Sequence, residues 1–282
     1  MPENHPLIQK ISAFLEQEKE MYGDFDESVL FAEEIKIDSV SKSASIAEKQ
    51  SQPTSQENTQ KPNVPEAKVN EQVKVSEKPQ QSSEKQPSLK EVLAACSNLE
   101  ELRTLCERTE ALKTDLAGTN LVFGVGNPTA DLMLIGEAPG EQEDAKGEPF
   151  LGKAGQLLNK ILEAINFRRE DVYIANILKH RPPNNRDPLP EERKRSLPYL
   201  YRQISLIRPK LILCLGKVSA NTLLRNELAM KDMRGAFHNF HGIELMVTYH
   251  PAALLRNPQW KRSTWHDVKM LRNRYDELGA KS

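Results

Sequence analysis

Asp131-Leu132-Met133-Leu134-Ile135 runs straight into Gly136-Glu137-Ala138-Pro139-Gly140. A short apolar run cut off by glycine, proline and a carboxylate reads as a buried strand that ends in a turn. Three further stretches repeat the pattern: Val172–Ile177 ends in a Pro-rich loop, Leu211–Leu215 ends at Gly216, and Glu244–Thr248 ends at Tyr249-His250. Helical spacing of apolar residues fills the intervals at Ala154–Asn166, Pro190–Ile207 and Lys217–Leu228, and returns in Leu89–Leu105 and Arg262–Leu278. Strands that are apolar throughout must be covered on both faces, and helices between successive strands supply the crossovers that parallel pairing needs. The predicted fold is therefore α/β, a three-layer α/β/α sandwich with a mostly parallel central sheet. Sheets of this kind bind ligands beyond the carboxyl ends of their strands. The glycines, prolines and polar residues gather at those ends.

Outside this region the 282-residue chain changes character. Residues 41–88 are mainly Ser, Gln, Glu, Lys, Pro, Asn and Val, without an aromatic residue. Such a segment cannot bury enough surface to offset its chain entropy and is expected to be a disordered linker. Ahead of it, Leu7, Ile11, Phe14 and Leu15 recur at helical spacing. A helix that short is marginal alone, so it either folds back or docks on a protein partner. The expected organisation is a short helical segment over 1–40, a linker over 41–88 and one catalytic-sized domain over 89–282.

Bulk properties exclude several classes. No apolar run reaches membrane-spanning length and the N-terminus lacks a signal-peptide pattern, so a soluble, cytoplasmic protein without membrane contact is expected, with a monomer as the default. A formal net charge of −1 decides nothing about nucleic acid, because phosphate binding depends on local clustering. Cys96, Cys106 and Cys214 include no Cys-x-x-Cys pair, which argues against a disulfide framework or a self-contained zinc site.

Four segments carry the chemistry: Gly136-Glu137-Ala138-Pro139-Gly140 with Glu141, Glu143 and Asp144; Pro149-Phe150-Leu151-Gly152-Lys153-Ala154-Gly155; Tyr173-Ile174-Ala175-Asn176 through Lys179-His180-Arg181-Pro182-Pro183-Asn184-Asn185-Arg186; and His250-Pro251-Ala252-Ala253-Leu254-Leu255-Arg256. Each alone is weak. In this order and spacing, with Phe123–Pro128 and Arg234-Gly235, they closely resemble the uracil-DNA glycosylase superfamily, specifically its family 4, over about Cys106 to Leu278.

The resemblance implies an enzyme that flips uracil out of DNA and hydrolyses its N-glycosidic bond, leaving an abasic site. The residue chemistry fits that task. An aromatic Phe150 in a Gly-rich loop can stack on a flipped base. The amide of Asn176 can pair with the N3–H donor and O4 acceptor of uracil, a pattern that cytosine reverses. His250 can donate toward O2, where negative charge develops as the bond breaks. Glu137 can position the attacking water and offset positive charge on the sugar. Gly136 and Ala138 would line the same pocket.

Other roles follow from the resemblance alone. It places Glu143 near the uracil 5-position, where it helps exclude thymine, and makes Leu254 the wedge that fills the gap in the duplex. Arg256, Lys179, Arg181 and Arg186 are candidate phosphate contacts.

Family 4 enzymes usually hold a 4Fe-4S cluster on four cysteines. The matching positions here are Cys106, Thr109, His180 and Ser196. One thiol and one imidazole are too few for such a cluster, so no metal or cofactor is expected, and ordinary packing by Leu102, Leu105, Leu197 and Tyr199 should hold the region instead. No lysine in the motifs suggests a Schiff-base nucleophile, and the inserted basic loop of the branch that traps DNA covalently is missing. The competing reading is a non-catalytic DNA-binding protein of the same fold.

Overall fold

A computed structural model describes residues 88–280. The expected N-terminal helix and nearly all of the expected linker lie outside the described residues. The described residues start with two helices, α1 (Leu89–Ala95) and α2 (Leu99–Glu107), where the sequence pattern suggested one. Asn98 separates them: its side chain accepts the Glu101 N–H and caps α2, while Ser88 and Glu91 form a reciprocal cap on α1.

A six-stranded sheet follows, built from β1 (Val125–Gly126), β2 (Leu132–Gly136), β3 (Tyr173–Asn176), β4 (Leu211–Leu215), β5 (Phe237–Phe240) and β6 (Ile243–Thr248), in the order β1-β3-β2-β4-β6-β5. The four central strands are parallel; β1 and β5 pair antiparallel at the two edges. The helices between and after the strands are α3 (Glu141–Lys146), α4 (Lys153–Ala164), α5 (Pro190–Ile207), α6 (Lys217–Leu224), α7 (Met230–Met233), α8 (Pro251–Arg256) and α9 (Lys261–Glu277).

Alternation along each strand divides the core in two. Met133, Ile135, Tyr173, Ala175, Ile212, Cys214, Leu245 and Val247 face one way and pack with Leu93, Leu102, Leu200 and Ile204 from α1, α2 and α5. Leu132, Leu134, Ile174, Leu211, Leu213 and Met246 face the other and meet Leu158 and Leu162 of α4 and Val268, Leu271 and Tyr275 of α9. That is the three-layer sandwich the sequence predicted. Parallel register aligns Gly136 with Asn176 at the carboxyl ends of β2 and β3. Among the described residues no helix is long and apolar enough to cross a membrane.

Candidate active site

The candidate site begins where β2 stops. Ile177 N–H donates to the Gly136 carbonyl and Leu178 N–H to that of Glu137, each at 3.0 Å, so the turn after β2 is tied to the chain leaving β3. Gly136 has no room for a side chain: a Cβ there would lie 2.4 Å from Asn176 Oδ1 and 2.6 Å from Phe150 Cζ. Glycine thus lets the Asn176 amide and the Phe150 ring meet over one strand end. Asn176 is buried, and its Oδ1 has no hydrogen-bond partner among the described residues. A buried unpaired acceptor is costly unless a ligand supplies the donor. Ala138 packs its methyl group on the core just beyond.

Phe150 is 6% exposed and adopts φ of 56°, a backbone region that non-glycine residues seldom enter. Its ring centroid lies 5.4 Å from that of His250, with the planes tilted by 32°. His250 follows β6 as the N-cap of α8, and the Ala252 N–H donates to its Nδ1 at 3.1 Å. An Nδ1 that accepts leaves the ring proton on Nε2. Burial, with the charge of Arg256 adding to it, lowers the His250 pKa to about 4, so the ring is neutral at ordinary pH. Glu137 is partly buried, and desolvation, reinforced by the Asp187 carboxylate, raises its pKa to about 7; Arg193 and Arg256 act in the opposite sense.

Glu143 turns its carboxylate to the loop that carries Phe150: Oε1 accepts the N–H groups of Leu151 and Gly152 at 2.8 and 3.0 Å. The sequence offered no sign of that bond, nor of the guanidinium of Arg169 on the opposite side of the loop, because the contacts join residues 8 to 20 positions apart without a motif.

The expected DNA contacts divide. Arg256 is exposed, and its charge acts on both Glu137 and His250. Arg181 is partly exposed and donates to Asn185 Oδ1. Arg186 makes a two-pronged pair with Glu192 and a longer one to Asp115, so its charge is largely engaged within the fold. Two expectations are corrected. Lys179 is 0% exposed and donates to the carbonyls of Asn176 (3.0 Å) and Phe123 (3.3 Å) and to Gln203 Oε1 (2.5 Å), so it cannot reach a phosphate. Leu254, at 1% exposure, belongs to the interior, while its neighbour Leu255 is 46% exposed beside Arg256. A one-residue step on a helix rotates a side chain by roughly 100°, which is the whole of the difference.

At the positions where the resemblance would place cluster ligands, the side chains present are engaged within the fold and do not fit a 4Fe-4S group. Thr109 Oγ1 donates to the Leu105 carbonyl at 2.7 Å, Ser196 Oγ donates to the Ile177 carbonyl at 2.6 Å, and His180 Nδ1 bonds Thr119 Oγ1 at 3.0 Å. Burial pushes the Cys106 thiol up to about 12. Around them Leu102, Leu197 and Tyr199 are buried and Leu105 packs against the same cluster.

Comparisons with known proteins agree with this geometry. The family model described as the uracil DNA glycosylase superfamily matches residues 123–272, and the chain belongs to that superfamily. A type-4 uracil-DNA glycosylase of Archaeoglobus fulgidus is 42% identical over 174 residues, spanning 59% of this chain and 86% of that protein. Type-4 enzymes of Saccharolobus solfataricus (45% over 163 residues; 54% of this chain, 75% of that one) and Pyrobaculum aerophilum (39% over 181 residues; 61% and 92%) are similar in the same region.

Proposed function

We propose that this chain is a monofunctional uracil-DNA glycosylase of the type-4 kind that works without an iron-sulfur cluster. The observation that carries the reading is the unpaired, buried Oδ1 of Asn176 at the end of β3 beside Phe150, with Glu137 after β2 and the neutral His250 after β6.

Uracil flipped from DNA stacks on Phe150, gives its N3–H to Asn176 Oδ1 and accepts at O4 from the amide nitrogen. As the bond between C1′ and N1 breaks, its electron pair passes to the base, and the resulting charge at O2 is met by Nε2–H of His250. Ionised Glu137 faces the developing sugar cation and takes a proton from water as the water oxygen bonds to C1′. That proton later leaves to solvent or to the departing uracil anion. Arg256 and Arg181 meet the phosphate backbone, and Leu255, rather than Leu254, enters the gap left by the flipped nucleotide.

The test is release of uracil from a labelled oligonucleotide holding one uracil, with iron measured on the same protein. Cleavage by the wild type, its loss in Asn176→Ala and His250→Ala, and absence of iron are expected. Folded protein that binds DNA and leaves uracil in place would favour the non-catalytic reading, and stoichiometric iron would refute cluster-free action.

A further inference from the structure

Phe150 holds its strained backbone because both edges of its loop are gripped. On one side Glu143 Oε1 takes the N–H groups of Leu151 and Gly152. On the other, Arg169 Nη1 donates to the Phe150 carbonyl at 3.2 Å and to Asn159 Oδ1 at 3.3 Å, and Nη2 donates to the Pro149 carbonyl. The Phe150 carbonyl also sits against the first turn of α4, where a Cβ on Gly155 would lie 1.9 Å from it. Arg169 itself stands on a short 3-10 turn, Arg169–Asp171, just ahead of β3. It therefore links the loop to the strand that presents Asn176.

We propose that Arg169 is a positioning residue for base excision: its guanidinium, opposed by the Glu143 carboxylate, clamps residues 149–152 so that the Phe150 ring lies over Gly136 and beside Asn176. The guanidinium suits the task because its planar fork donates to two successive carbonyls at once and still reaches Asn159. A lysine ammonium has the charge without that fixed geometry. The clamp matters for the reaction because a ring that wanders from its place no longer holds the base against Asn176 and His250 in the geometry of bond breaking. The inference rests on the reading of Phe150 as the surface on which uracil stacks.

The experiment is a double-mutant cycle in single-turnover uracil excision, using the full chain as wild type, Phe150→Ala, Arg169→Gln, Arg169→Lys and the double variant Phe150→Ala/Arg169→Gln. KM and thermal midpoint are measured for each. Phe150→Ala should slow excision by roughly five- to 150-fold, the span that corresponds to about 1–3 kcal/mol of base stacking. Arg169→Gln should slow it by about tenfold with KM within about twofold, as misplacement of a reacting group does. Arg169→Lys should recover part of the loss. In the Phe150→Ala background, Arg169→Gln should cost less than about threefold more, because the two act through one ring.

Losses that multiply in the double variant, or Arg169→Gln at the wild-type rate, overturn the role of Arg169 while leaving Phe150 in place. Phe150→Ala at the wild-type rate overturns the stacking reading itself. If Arg169→Gln does not fold, the same cycle is read with Arg169→Lys: a loss at unchanged KM that disappears in the Phe150→Ala background supports the clamp, and any other result overturns it.

Discussion

Replacing Glu137 by glutamine should abolish most of the activity and stabilise the protein, and the stabilisation should depend on pH in a way that identifies its cause. Glu137 is partly buried with Asp187 facing it, and both effects oppose its ionisation; Arg193 and Arg256 only partly compensate. Its pKa rises from 4.5 to about 7 in the fold. In the unfolded chain the carboxyl returns to the ordinary range. Between pH 4.5 and 7 the unfolded state therefore releases its proton while the folded state keeps it, and wild-type stability falls as pH rises through that window. Below 4.5 both states hold the proton and the cost vanishes; above 7 both have lost it and the cost is complete. At about 1.4 kcal/mol for each pH unit the ceiling is about 3 kcal/mol, and access of water to a half-buried side chain brings it to about 1–2 kcal/mol.

Glutamine is nearly isosteric and carries no charge, so it escapes that cost at every pH. At pH 8 Glu137→Gln should melt several degrees above the wild type, about 2–8 °C for a domain of this size, and at pH 4.5 the two should coincide. Differential scanning calorimetry on the pair across pH 4.5–8 measures this, and subtracting one curve from the other removes every titration they share. An equal gain at all pH values would assign the effect to packing instead of ionisation. No gain at pH 8 would mean that Glu137 is not desolvated, and the account of the pocket electrostatics would fail.

Further outcomes follow from the same geometry. Excision by the wild type should fall about tenfold for each pH unit below 7, because only ionised Glu137 can accept the proton of water, whereas His250, with its pKa near 4, stays neutral throughout; a pH-rate profile that shows no such acid limb would contradict the assignment. Gly136→Ala should lose excision by at least about a hundredfold with the fold retained, since its Cβ would intrude on both Asn176 and Phe150, and a near-wild-type rate would show that the two can part without consequence. Leu254→Ala should lower stability by about 2–5 kcal/mol through a core cavity, while Leu255→Ala should leave the thermal midpoint unchanged and weaken excision from duplex DNA; the reverse pattern would restore Leu254 as the wedge. Lys179→Met should leave the salt dependence of DNA binding as it is, whereas Arg256→Ala should reduce its slope by about one; a reduced slope in the Lys179 variant would place its ammonium at a phosphate after all.

The central strands were legible because burial on both faces leaves continuous apolar runs, and β4 coincides with the stretch read from the sequence, Leu211–Leu215. The edge strands were not. β1 spans two residues, and β5 mixes His238 and Asn239 with Phe237 and Phe240, so neither offers an apolar run or a clean alternation. The candidate site residues at strand ends, Glu137, Asn176 and His250, stood out because glycine, proline and polar residues punctuate an apolar pattern there. Side-chain direction did not: Lys179 sits among Arg181 and Arg186 in a basic, proline-rich stretch, yet its chain turns inward. Only the fold shows that the carbonyls of Phe123 and Asn176 and the amide of Gln203 wait for it.

That buried lysine gives the cluster-like region a structural meaning. Where β3 ends, its last carbonyls leave the sheet and need donors from elsewhere. Helix α5 helps to supply them: Ser196 Oγ donates to the Ile177 carbonyl, and Gln203 accepts from the Lys179 ammonium that donates to the Asn176 carbonyl. Burial lowers the Lys179 pKa to about 7, toward the neutral amine, so these acceptors are what make its charged form tolerable there. Ser196, where the resemblance would place a cluster thiolate, is bonded instead to Ile177, the residue that follows Asn176 and β3. The same volume is thus held together by hydrogen bonding and packing. A change at Ser196 or Gln203 would therefore reach the Asn176 side chain through the backbone at the end of β3.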